Sequence, residues 1–156
     1  MDTNEKNKKI PFPQANDFNK IIKIVLIDNP DNLSNKSFLM KLLDLGTERQ
    51  VSYYMSACEF LDIIDSNGNL TDFAILIREK CFETQILMLA NKIISKPVFG
   101  EVFLMRYYNC IDFQTEEISQ LISDIYNIKN SDVCNRRAST VKSWIKWIEE
   151  QKEIFI

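Results

Sequence analysis

The chain has 156 residues, 46% of them hydrophobic, and a formal charge of -3 from 19 Lys/Arg against 22 Asp/Glu. That length holds one domain or two small ones with a proper core. With no histidine, the commonest general base and most transition-metal sites are missing, and Gly46, Gly68 and Gly100 are too few and too scattered for a phosphate-cradling loop.

Pro11 and Pro13 predict an extended lead-in, which ends what reads as a flexible arm over residues 1–15. Asn16 or Asp17 can cap a helix through about Asn29 that buries Phe18, Ile21, Ile22, Val25 and Leu26. Ser34 is expected to cap a second helix to about Leu43, with Gly46 as a left-handed stop. Thr47 and Glu48 open a third helix to about Asp62, with Val51, Tyr54, Met55, Cys58 and Leu61 inward. Next, Asn67-Gly68 between the short apolar runs at 63–64 and 70–71 is a hairpin signal. Three helices and a hairpin are the order of a winged helix-turn-helix.

A further helical turn is expected after Thr71, then helices over about 82–94, 97–108 and 115–126. Ser131 and Asp132 are expected to cap a long cationic helix. It buries Cys134, Ala138, Val141, Ile145 and Ile148, and residues 153–156 read as a strand. The second half repeats the plan of the first. The expectation is therefore a mainly α fold, a tandem winged helix-turn-helix with small β-hairpin wing(s), the second unit showing no complete wing. Its units would span 16–80 and 81–156.

Cysteines 58, 81, 110 and 134 lie far apart without a C-x-x-C pair, which predicts free thiols in a reducing cytoplasm and no metal. No apolar run approaches the ~20 residues of a membrane span. Charge is unevenly placed. Residues 1–43 carry seven Lys/Arg against five Asp/Glu, 44–128 six against thirteen, and 129–152 six against three. Positive charge thus gathers at the two ends, where Lys6, Lys8 and Lys9 add a possible phosphate-contacting arm.

Two helix faces combine guanidinium or ammonium groups with hydroxyls and amides, the residue types that contact phosphates and base edges. The first carries Arg49, Gln50, Ser52 and Tyr53. The second carries Arg136, Arg137, Ser139, Thr140, Lys142, Ser143 and Lys146. The competing use of each is a plain solvated surface, and Arg137 has an alternative partner in Glu117. Trp144 is expected in the core, with Trp147 stacked on the first unit or on a partner chain.

Three stretches carry a resemblance: PQANDF at 13–18, ERQVSYYMSACEFLDII at 48–64 with GNLT at 68–71, and RRASTVKSWIKWI at 136–148. Together they resemble the tandem winged-helix domains associated with bacterial restriction-modification proteins. The resemblance implies a non-catalytic module that binds double-stranded DNA, and no cofactor is expected. Cleavage would lie in another domain or chain, with a nuclease, methyltransferase or ATPase as partner. The acidic centre departs from that pattern, and it supports an alternative, a protein-protein interaction adaptor built on winged-helix units.

Overall fold

The structure, a computed structural model, describes residues 11–155. It is mainly helical, and no β-strand is present among the described residues. The expected tandem winged helix-turn-helix is overturned on that point, because there is no β-hairpin wing.

The first wing fails for lack of length. Ile63 and Ile64 are drawn into the core, and Asp72 already starts a helix, so too few residues remain for paired strands. What closes is a tight turn with a single antiparallel bridge between Ile64 and Leu70. The Asp65 carboxylate accepts from the amides of Asn67 and Asn69, taking the place of a strand partner, and Gly68 supplies the positive φ of 81°. At the far end, the expected strand is instead a helical turn (α9, Lys152–Phe155), and Ile156 lies outside the described residues.

Helix α1 (Phe18–Val25) is capped by Asp17 and ends several residues before the expected stop. Its released carbonyls explain why it holds. The Arg78 guanidinium donates to the carbonyls of Val25 and Ile27, both at 2.7 Å. A methionine there would keep the stem and lose both bonds. Arg78→Met is expected to cost about 2–3 kcal/mol in urea unfolding, and a loss below ~0.5 kcal/mol would show that solvent serves α1 as well.

A 3-10 turn (Pro30–Ser34) precedes α2 (Lys36–Leu42), whose cap is Asn35 and not Ser34. The sharp link to α3 (Glu48–Phe60) uses Asp44 at φ 51°; Gly46, the expected left-handed residue, has no positive φ. Thr47 accepts from the Gln50 amide and caps α3 as expected. Then follow α4 (Asp72–Arg78), α5 (Phe82–Ile94), α6 (Phe99–Tyr108), α7 (Thr115–Tyr126) and α8 (Ser131–Glu150). The cap of α8 is Asn130, which accepts from the amides of Asp132 and Val133. No helix among the described residues is long and apolar enough to cross a membrane.

One hydrophobic cluster runs from Phe12 to Ile148 across the boundary expected at 80/81. Its centre is aromatic. Phe12 stacks on Phe99 at 5.4 Å and meets Phe60 and Tyr126; Phe18 meets Trp144 at 5.3 Å and Trp147 at 4.3 Å. Residues 12–15, counted with the arm in the sequence, include the buried Phe12, Pro13 and Ala15. Both tryptophans are buried because α8 is covered on two sides. One stripe (Cys134, Ala138, Val141, Ile145) and a second (Thr140, Trp144, Trp147) are each at helical spacing and each shielded.

Candidate functional site

The lead-in at 12–17 passes between α3 and α8 and is tied to both. The Trp144 indole N–H donates to the Ala15 carbonyl at 2.7 Å, and the Thr140 hydroxyl donates to Asn16 Oδ1 at 2.7 Å. On the other side the Asp17 amide donates to the Tyr54 hydroxyl at 3.1 Å. Beside this strap lies an open cleft of about 500 Å³. Gln50, Tyr53 and Tyr54 of α3 form one wall, and Arg136 and Ser139 of α8 the other. Lys20 of α1, Leu45 and the strap itself complete it.

The cleft therefore joins the two candidate faces, which the sequence places more than eighty residues apart. On α3, Gln50 Oε1 accepts from the Gly46 amide at 3.0 Å. Arg49 is exposed, and its Nε donates to the Tyr53 hydroxyl at 2.8 Å while its guanidinium lies 5.6 Å from the Tyr53 ring centroid. Ser52 is held locally, donating to the Glu48 carbonyl and accepting from Lys36 Nζ. Burial pushes the Tyr54 phenol up, so it stays a neutral O–H in the ordinary range of pH.

On α8 the expected strip is divided. Arg136 and Ser139 face the cleft, and Arg136 enters no ion pair with a described residue. Lys142 and Lys146 are exposed on a neighbouring hollow lined also by Arg106, Asp112 and Glu149. There Arg106 pairs with Glu149, and with Asp112 at 2.9 Å. Ser143 is half-buried and lines neither hollow. Thr140 is fully buried and is a tie of the strap, which removes it from any outer contact surface. Arg137 is half-buried with its Nε enclosed and without a hydrogen-bond partner, and it forms no ion pair with Glu117. Burial lowers the Arg137 pKa from its ordinary value.

Lys20, Tyr54 and the strap were not legible as site residues. Tyr54 reads as an inward position, and it is buried, but its hydroxyl reaches the rim. Thr140 carries a signal that could have been used. It shares a side of the helix with Trp144 and Trp147 at i, i+4 and i+7. The arm residues Lys6, Lys8 and Lys9 lie outside the described residues.

All four cysteines are free. Cys58 and Cys134 are buried, and burial raises the Cys58 thiol pKa; Cys81 and Cys110 are exposed.

The chain belongs to a family described as a domain of unknown function (DUF7226), whose model matches residues 20–153. That span begins inside α1 and includes α3 and α8, the two walls of the cleft, while Gln14, Asn16 and Asp17 of the strap lie before it. No curated protein and no solved structure matches the chain.

Proposed function

We propose that the chain is a non-catalytic module that binds double-stranded DNA through the facing surfaces of α3 and α8. The observation that carries this reading is the convergence of Gln50 and Tyr53 with Arg136 and Ser139 on one cleft. Helix α3 follows α2 after a short turn, and its first turn exposes Glu48, Arg49 and Gln50. In that arrangement the start of the second helix meets base edges, where arginine pairs bidentately with guanine, and Gln50, its Oε1 held by the Gly46 amide, offers its NH2 as a donor. Arg136 would reach the same duplex from α8. No wing takes part.

The resemblance in the sequence supports a setting in bacterial restriction-modification, in the cytoplasm. The chain would supply specificity or accessory binding there, and a nuclease, methyltransferase or ATPase elsewhere would supply the chemistry. The division of the α8 strip narrows the surface to Arg49, Gln50, Tyr53, Arg136 and Ser139.

Fluorescence anisotropy of a labelled duplex at two salt concentrations tests the reading. Arg136→Ala should weaken binding by about 1–3 kcal/mol if the side chain reads a base, or lower the salt slope by about one if it holds a phosphate. Binding indifferent to both salt and the loss of Arg136 would contradict it.

A second reading, a protein-interaction adaptor, is favoured by one observation. Leu104, Tyr107, Tyr108 and Ile111 are exposed at the end of α6 and in the turn after it, with Tyr108 78% exposed. They lie within the acidic stretch, away from the cleft-lining residues. Grouped exposed apolar side chains of this kind mark contact surfaces.

A further inference from the structure

The hydrogen-bond state of the cleft's side chains defines what it can receive. Gln50 Oε1 already accepts from the Gly46 amide, and a backbone N–H can only donate. The orientation of that side chain is thereby set, and its NH2 group is left over as a donor. The Tyr53 oxygen accepts from Arg49 Nε and the Tyr54 oxygen from the Asp17 amide, so each phenol keeps its own O–H to give. Lys20 Nζ spends one donor on the Asp44 carbonyl at 3.3 Å and retains two. Arg136 adds a guanidinium with no ion-pair partner among the described residues.

Five side chains from three helices thus offer donors, and each oxygen among them already accepts one hydrogen bond. The carboxylate of the wall is Asp17, whose Oδ1 accepts from the Asn19 amide as the cap of α1. Two cations against one carboxylate leave the cleft with a single positive charge. An acceptor-rich ligand of one negative charge fits that balance. A phosphodiester is such a group, whereas a phosphate monoester carries ~-1.5 to -2 at neutral pH.

The geometry points to the α3–α8 cleft as an anion seat that takes a phosphodiester, held by Arg136, Lys20, the Gln50 amide and the two tyrosine hydroxyls. The DNA-binding reading is used here for the source of that phosphate, the backbone of the bound duplex. The chemistry of the seat is independent of it. A free phosphodiester would be held by the same donors.

Two titrations separate these. Dimethyl phosphate added to the wild-type chain, followed by nuclear magnetic resonance, should shift the Gln50 side-chain NH2 and Arg136 Nε–H signals saturably. In parallel, Gln50→Glu keeps the acceptor for the Gly46 amide and replaces the donor by a negative oxygen. It should melt like the wild type and bind a duplex roughly tenfold more weakly or worse. Shifts with dimethyl phosphate but no duplex binding would keep the seat and refute the DNA reading. Duplex binding undiminished by Gln50→Glu, with dimethyl phosphate silent, would overturn the seat and leave the DNA reading standing. Silence in both would remove both. If Gln50→Glu does not fold, the wild-type titration decides alone.

Discussion

Replacing Phe12 by alanine is expected to destabilise the protein by about 3–5 kcal/mol, as for a fully packed core phenylalanine. The size of that figure comes from where the ring sits. Phe12 is 3% exposed and touches Phe60 at the end of α3, Phe99 at the start of α6 and Tyr126 at the end of α7. No other residue of the lead-in joins so many elements through its ring. Against a total stability of roughly 5–15 kcal/mol, the loss is large. It should also be shared. With one continuous core, equilibrium unfolding of Phe12→Ala should remain a single transition moved to lower denaturant, seen alike by circular dichroism and tryptophan fluorescence. Two separate transitions, of which one moves, would mean that the halves fold independently and that the aromatic centre is not shared.

Trp144→Ala should cost as much or more, about 3–5 kcal/mol from packing alone with a further penalty for the Ala15 carbonyl left without its donor. Trp144 is the largest fully buried side chain, stacked on Phe99 at 5.0 Å and set edge-on to Phe18. The strap is anchored by its indole N–H. Trp144→Phe separates the two contributions, because it keeps most of the ring contact and removes the bond; it should lose about 1–2 kcal/mol. Denaturant titration reads both variants. A phenylalanine variant as stable as the wild type would show that the bond to Ala15 adds nothing to the strap's position.

Most helices could be read from periodicity and caps. Thr47, Thr71 and Asp17 cap where hydroxyl and carboxylate residues precede an apolar repeat. The ends were less legible where a long-range bond decides them, as at α1, where Arg78, from about fifty residues away, takes the last carbonyl of the helix and that of Ile27 just beyond it. The wing was misread for a different reason. Asn67-Gly68 does make a turn, but a hairpin also needs strand residues on each side, and Ile63 and Ile64 are used by the core.

For the site, the residue types on α3 and at the start of α8 were legible because charged and amide side chains stood opposite apolar stripes. Their meeting was not, since it depends on how α3 and α8 pack through the strap. With one buried stripe, Thr140 and Arg137 face outward. A helix covered on two sides has a narrower free face, and it leaves Arg136, Ser139, Lys142 and Lys146 exposed on α8.

The most direct measurement is a duplex titration of the isotope-labelled chain, with backbone amide shifts mapped residue by residue. Shifts gathered at Gln50, Tyr53, Arg136 and Ser139 are the predicted result. An unmoved cleft, or shifts confined to residues 104–111 around Tyr107 and Tyr108, would contradict it.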